Sequence, residues 1–217
     1  MNDFKSRFLA STAPKAKGAR SHRVFDLALL PRDNRITRHD TPEGRFYNTP
    51  VGMLPSVTSV IDKRLDNVWL EKWIARVGEK EAERVKKRAA ERGTILHKAC
   101  EEYILNTKEY DMGLDFTDLE RFRLVQKHID ENVGKVYGVE YPLWSSVLKS
   151  AGTSDFLCEW DFEDAIVDFK TSTREKTEKN IEGYRIQVAA YTIMANERFE
   201  EMGLKLRIKR NVMTIVS

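Results

Sequence analysis

Three strand-like segments follow one another between residues 136 and 172, and this run constrains the fold more than any other feature. The segments are VYGVEYPLWSS, GTSDFLCEWD and AIVDFKTS, which are rich in β-branched and aromatic residues. The tight turn FEDA joins the last two, so the run predicts an antiparallel three-stranded meander. Helical periodicity flanks it at residues 115–133 and 178–202, and the final KLRIKRNVMTIVS alternates like one more strand. We therefore expect an α/β fold, in which helices flank a small mixed sheet.

The chain before the meander changes character twice. Residues 1–23 are basic and predict a flexible tail, with an arm that contacts nucleic acid as the alternative. Residues 24–80 are rich in turns and then helical, with a hairpin expected at TPEGR, and we expect them to form one wall of a groove beside a core of residues 81–217. A long helix is expected at residues 79–106, interrupted by Gly93. Its first half is either a solvated charged face or a basic ridge for phosphates, made of Arg84, Lys86, Lys87, Arg88 and Arg92.

Composition excludes several classes of protein. The 217 residues carry a net charge of only +3, so a nucleic-acid surface must come from uneven charge distribution. The two cysteines, Cys100 and Cys158, lack ligand spacing, which argues against zinc, iron–sulfur and disulfide scaffolds and favours an intracellular setting. No apolar run reaches the ~18 residues of a membrane span, and no secretory signal is visible. A mitochondrial location would require the basic tail to be a targeting peptide, which is the weaker alternative.

Charged residues inside the meander point to chemistry. Asp168 and Lys170 are two apart on one strand, so they share a face, while Val167 and Phe169 point to the other. Alone, this pair could be a buried salt bridge. Asp155 and Glu140 lie on the preceding strands, and carboxylates that converge repel one another unless a cation lies between them. Hard divalent ions such as Mg²⁺ or Mn²⁺ suit such a place.

These residues resemble a known signature. GTSDF followed by IVDFKTS, with 12 residues between the aspartates, is similar to the PD-(D/E)xK nuclease motif. RGTILHKACEEYI resembles the G-x-x-x-H helix of RecB-type exonucleases, and QVAAY resembles their Q-x-x-x-Y helix. LPSVTSVI before a tryptophan-containing helix is similar to the mitochondrial genome maintenance exonuclease and its phage and bacterial relatives. The resemblance covers roughly residues 50 to 195.

The resemblance implies a PD-(D/E)xK (restriction-endonuclease-like) core and a metal-dependent exonuclease that acts on free ends of single-stranded DNA. It implies that Asp155, Asp168 and the backbone carbonyl of Phe169 hold Mg²⁺ or Mn²⁺, with Glu140 as a weaker candidate. His97 would assist as a metal ligand or contact the phosphate side. Lys170 would then orient or deprotonate the attacking water. Gln187 and Tyr191 are expected beside the site, where they brace Lys170 or contact the strand.

DNA contacts and partners follow from the same interpretation. The residues expected to contact DNA are Gly93, Arg92, Thr171, Ser172, Lys179, Arg185, Ser56 and Thr58, although helix capping alone would explain the last two. We expect a monomer whose partner is DNA, with other replication or recombination proteins as further candidate partners. A catalytically inactive nucleic-acid-binding module and a partner-binding scaffold are the alternatives.

Overall fold

The predicted meander forms the centre of a five-stranded sheet. The computed structural model describes residues 23–65, 68–173 and 176–217, so residues 1–22 of the predicted tail lie outside the described residues. Numbered in chain order, the strands of this sheet are β1 (Asp26–Leu27), β5 (Val133–Ser145), β6 (Ser150–Trp160), β7 (Glu163–Thr171) and β8 (Arg210–Val216), side by side in that order. The pairs β5–β6 and β6–β7 are antiparallel, whereas β1 and β8 join in parallel. The expected mixed sheet is confirmed, including the strand at the C-terminus.

A smaller antiparallel sheet stands beside the main one. It contains β2 (Thr37–Thr41), β3 (Gly44–Thr49) and β4 (Gly52–Pro55). Residues 41 and 44 are paired at the end of the β2–β3 ladder, so the predicted hairpin at TPEGR is confirmed. Tyr47 of β3 is buried against Trp144 and Ala151, which attaches the small sheet to one end of β5 and β6.

Helices cover both faces of the main sheet. Their bounds are α1 (Val57–Arg64), α2 (Val68–Val77), α3 (Glu79–Ile104), α4 (Phe116–Asn132) and α5 (Glu182–Glu201), which a 3₁₀ turn at Glu178–Ile181 precedes. Side chains of α3 and α4 share one core with Val167 and Phe169, while side chains of α1 and α5 share the other with Leu157 and Ile166. Val167 and Phe169 thus face away from Ile166, as the alternation of a strand predicts.

The predicted interruption of the long helix at Gly93 is wrong, because α3 continues without a break from Glu79 to Ile104. A glycine in a helix interior costs only about 1 kcal/mol relative to alanine. The buried residues of the second half of α3, such as Leu96 and Cys100, recover more than this by packing against the sheet. Tertiary packing therefore outweighs the local preference.

Residues 23–32 run along the outer edge of β5. The guanidinium of Arg23 donates hydrogen bonds to the backbone carbonyls of Asp130 and Val133 at the end of α4, and Phe25 is buried in the core. Further along, Arg32 donates to the carbonyl of Val139. The first part of the region 24–80 therefore belongs to the main sheet. Within the described ranges, no helix combines the length and the apolar character needed to cross a membrane.

Candidate metal centre

Three carboxylates lie in a row across the middle strands. The register between β5 and β6 sets Glu140 opposite Asp155. The register between β6 and β7, continued by one residue, sets Asp155 opposite Asp168. Strand pairing therefore brings together residues that are 28 positions apart in sequence. Opposite side chains lie roughly 5 Å apart at Cβ, so the row concentrates negative charge.

Asp168 is almost fully buried and is held by two side chains. Lys170 Nζ donates to its Oδ1 at 2.8 Å and lies 2.6 Å from its Oδ2, and Gln187 Nε2 donates to Oδ1 at 2.9 Å. The contact with Oδ2 lacks hydrogen-bond geometry, so this buried oxygen makes an ion-pair contact but accepts no hydrogen bond. Burial raises the pKa of Asp168, the charge of Lys170 lowers it and the charge of Asp155 raises it. Asp168 and Lys170 thus lie on the same face of β7, as predicted, and form an ion pair there.

His97 lies on α3, which packs against the face of β7 that carries Val167 and Phe169. Its Nε2 lies 2.6 Å from the backbone carbonyl of Phe169, and its Nδ1 lies 3.6 Å from Asp155 Oδ1. Because a carbonyl only accepts, Nε2 donates its proton in this contact, and Nδ1 is the ring atom that faces Asp155. Asp155 Oδ2 in turn accepts the N–H of Phe169 at 2.8 Å. The carbonyl of Phe169 therefore orients His97, and only the second lone pair of this carbonyl oxygen is left for a cation.

Three groups meet closely enough to share a cation. His97, Glu140 and Asp155 each offer one ligand atom, and these atoms all lie within 4.8 Å of one another. Ligand atoms around an octahedral ion with bonds of about 2.1 Å lie roughly 3 to 4 Å apart, so a small contraction suffices. Two carboxylates and an imidazole suit Mn²⁺ better than Mg²⁺, which prefers oxygen. Asp168 lies outside this group of three, although its Oδ2 keeps a lone pair for a cation.

The backbone at Glu140 explains how its carboxylate joins the group. Its φ of +46° lies in the left-handed region, which is uncommon for residues other than glycine. Val139 packs into one core and Tyr141 into the other, so the alternation of β5 is broken at this residue. Burial, and then the charge of Asp155, raises the pKa of Glu140 to about 7. A strained backbone and a destabilised carboxylate at one residue are typical of a functional site.

The two residues expected from the Q-x-x-x-Y helix lie beside the site. Gln187 is buried and braces Asp168 rather than Lys170. Tyr191 is buried over Gly152 of β6, where a Cβ would lie 2.5 Å from its ring. Gln187 and Tyr191 therefore contact the strands directly, as one of the two expected roles requires.

Some of the residues expected to contact DNA line the mouth of the site. A Cβ built on Gly93 would lie 3.9 Å from Thr171 Oγ1, so α3 and the end of β7 face each other there. Arg92, Thr171 and Ser172 are half-buried at this mouth. The N–H of Ser172 donates to the carbonyl of Val216 at 2.7 Å, so this backbone group is already used within the fold.

Other expected DNA contacts have structural roles or lie outside the description. Ser56 is buried and caps α1 by accepting the N–H of Ser59 at 3.0 Å, and its hydroxyl lies 3.0 Å from that of Thr58. Capping therefore explains Ser56. Arg185 is exposed and pairs with a glutamate of the 3₁₀ turn at 3.3 Å. The side chain of Lys179 lies outside the described residues.

Two residues near the site were not expected from the sequence. Arg32 donates to the carbonyl just before Glu140, and its charge lowers the pKa of that carboxyl. The ring of Tyr184 lies 5.5 Å from Lys170 Nζ. Tyr184 is three residues before Gln187, a helical spacing that could have revealed it. Arg32 is more than 100 residues from its partner, and no local pattern marks it.

No family model matches the sequence, and no curated protein matches it.

Proposed function

We propose that this protein is a metal-dependent deoxyribonuclease of the PD-(D/E)xK type, which hydrolyses phosphodiester bonds at free ends of single-stranded DNA. One observation carries the proposal: His97, Glu140 and Asp155 meet next to the buried pair of Asp168 and Lys170. A salt bridge alone would account for Asp168 and Lys170, but it would not account for two more acids and an oriented imidazole. A strained residue whose carboxyl has a raised pKa is likewise costly to the fold.

Mg²⁺ and Mn²⁺ are the cofactors that these residues fit. The carboxylates of Glu140 and Asp155 and Nδ1 of His97 would hold the ion, with Asp168 Oδ2 close to the same group. A bound divalent cation supplies a water with a lowered pKa and a positive charge beside the phosphodiester. The nitrogen ligand leads us to expect faster cleavage with Mn²⁺ than with Mg²⁺.

Lys170 acts as a charged donor in this proposal. Its Nζ is held by both oxygens of the buried Asp168, at 2.8 and 2.6 Å, so its position is fixed beside the group of three ligand atoms. Of the two roles expected from the sequence, the contacts favour orientation of the water and stabilisation of developing negative charge over deprotonation. Water oxygen forms the new bond to phosphorus while the bond to the leaving oxygen breaks. The attacking water gives up a proton to solvent and the leaving oxygen takes one up, so no covalent intermediate with the protein is needed.

A nucleic acid is the class of substrate that the surface charge favours. On the first half of α3, Lys86, Lys87 and Arg88 are exposed, and they make no ion pair with any described residue. The same helix carries Gly93 and His97 toward the site, so a phosphate backbone bound on this ridge would lead to the metal group. Binding by such a ridge should weaken steeply with salt.

The test is a cleavage assay with end-labelled single-stranded, duplex and circular DNA in Mg²⁺, Mn²⁺ or EDTA. We expect shortening of the linear single strand with Mn²⁺, no reaction in EDTA and at least a 100-fold loss in Lys170→Met or Asp155→Asn. Lys127→Met, an exposed lysine on α4, is the matched control and should cut like the wild type. Cutting in EDTA, or full activity of Lys170→Met, would contradict the mechanism. Cutting of closed circles would contradict only the exonuclease assignment.

A nucleic-acid-binding module without catalysis is the second candidate. The observation that favours it is the closed ion pair, since Lys170 already neutralises Asp168 and Asp168 lies outside the group of three ligand atoms. Under this alternative, DNA binding would persist in EDTA and no divalent ion would lead to shortened products.

A further inference from the structure

Tyr184 lies next to Lys170 and is partly accessible to solvent. It is in the first turn of α5, three residues before Gln187 and seven before Tyr191, so the three side chains share one face of the helix. Gln187 and Tyr191 are buried against the strands, whereas Tyr184 is only half-buried. The face therefore ends in an accessible aromatic ring beside Lys170.

Two ammonium groups lie against this ring. Lys170 Nζ is 5.5 Å and Lys176 Nζ is 5.9 Å from its centroid. Lys170 is paired with Asp168, but the exposed Lys176 makes no ion pair with any described residue. The hydroxyl of Tyr184 forms no hydrogen bond within the described ranges. The ring thus lies against two cations, while its hydroxyl and the ammonium of Lys176 have no other polar partner among the described residues.

A nucleotide would use both the face of this ring and the charge of Lys176. Like charges near one ring repel each other, and a phosphate beside Lys176 removes this repulsion. The ring offers a flat surface on which a base can stack, whatever its sequence.

We propose that Tyr184 and Lys176 form a nucleotide subsite beside Lys170, in which the ring stacks on an unpaired base and the ammonium binds its phosphate. The subsite rests on the proposed function and deepens it, since it names the feature that selects single strands. A base inside a duplex is already paired and stacked on its neighbours, so it cannot use the ring.

The test measures binding in EDTA, where cleavage does not interfere. Fluorescence anisotropy would follow a labelled oligo(dT) and a strand of equal length made of abasic residues. Tyr184→Leu should weaken oligo(dT) binding about 5- to 100-fold and leave abasic binding unchanged, whereas Tyr184→Phe should bind both like the wild type. Lys176→Met should weaken both strands equally and reduce the salt dependence by about one phosphate contact. Phe162→Leu, which changes a 95% exposed ring at the β6–β7 turn, is the matched control.

Each result decides the matter. Equal binding by Tyr184→Leu and the wild type overturns the stacking role, as does an equal loss on oligo(dT) and abasic strands. Absence of binding by the wild-type protein also overturns the subsite. If oligo(dT) binding depends on Tyr184 but no divalent ion supports cleavage, the subsite stands and the proposed nuclease function fails. If the protein cuts DNA but Tyr184→Leu binds oligo(dT) like the wild type, the nuclease function stands and the subsite fails.

Discussion

Replacement of Lys170 by methionine tests the arrangement on which the site depends. The substitution keeps most of the apolar stem and removes the ammonium, leaving Asp168, which is 1% exposed, with Gln187 as its remaining partner. Breaking a buried ion pair from one side costs about 3–5 kcal/mol. Lys170 is 19% exposed and Asp168 can take up a proton, so we expect a smaller loss, about 2–4 kcal/mol at pH 7. This corresponds to a fall in Tm of roughly 4 to 16 °C for a chain of this size.

The loss should depend on pH in a defined direction. Without Lys170, the already raised pKa of Asp168 rises further, because the charge that lowered it is gone. The carboxyl is then protonated at pH 5 and no longer needs a cation, so the destabilisation should shrink to about 1 kcal/mol or less. At pH 8 it should be largest.

Urea denaturation followed by fluorescence, at pH 5, 7 and 8 and without divalent ions, measures these differences. The double variant Asp168→Asn/Lys170→Met removes both charges and should recover most of the stability lost in the single variant. Lys127→Met is the control, since its ammonium is 72% exposed and 3.9 Å from Glu131, and should cost less than about 1 kcal/mol. The reasoning would be refuted if Lys170→Met lowered the free energy of unfolding no more than Lys127→Met does. It would also be refuted if the loss in Lys170→Met were the same at pH 5 and pH 8.

Three other substitutions test Glu140 as a metal ligand and the space around two glycines, Gly93 and Gly152. The pKa of Glu140, raised to about 7, means that its folded carboxyl disfavours charge, so stability should fall as pH rises from about 4.5 to 7. Metal-free Glu140→Gln should therefore be more stable than the wild type at pH 8 by on the order of 1–2 kcal/mol, after allowance for partial exposure. The same variant should bind Mn²⁺ more weakly in calorimetry. Equal stability of the two proteins at pH 8 would contradict the raised pKa. The Cβ added by Gly93→Ala would lie no closer than 3.9 Å to another residue, so this change should raise stability by about 0.5–1 kcal/mol. It should also slow cleavage if DNA passes over this position. Unchanged cleavage would mean that DNA does not pass over Gly93. Gly152→Ala would place a Cβ 2.5 Å from the ring of Tyr191 and should cost about 1–3 kcal/mol in chemical denaturation, and a neutral result would contradict the close packing.

The sequence predicted the central elements well, because their signals are local. Alternation placed the meander and set Asp168 and Lys170 on one face of β7, opposite Val167 and Phe169. The same local rules located the hairpin turn, the cap of α1 and the amphipathic helices. They failed at Gly93, where a local helix-breaking preference was outweighed by burial of the residues that follow.

The partners within the site were decided by the tertiary structure. Periodicity gives the face on which a side chain lies, but not which of three acids meets His97. The left-handed backbone at Glu140 turns that carboxylate toward His97 and Asp155, while Lys170 and Gln187 hold Asp168 outside the group. Such a choice depends on strand register and helix packing over tens of residues. No local pattern records it, because the energies that settle it arise only when the three strands and two helices are assembled.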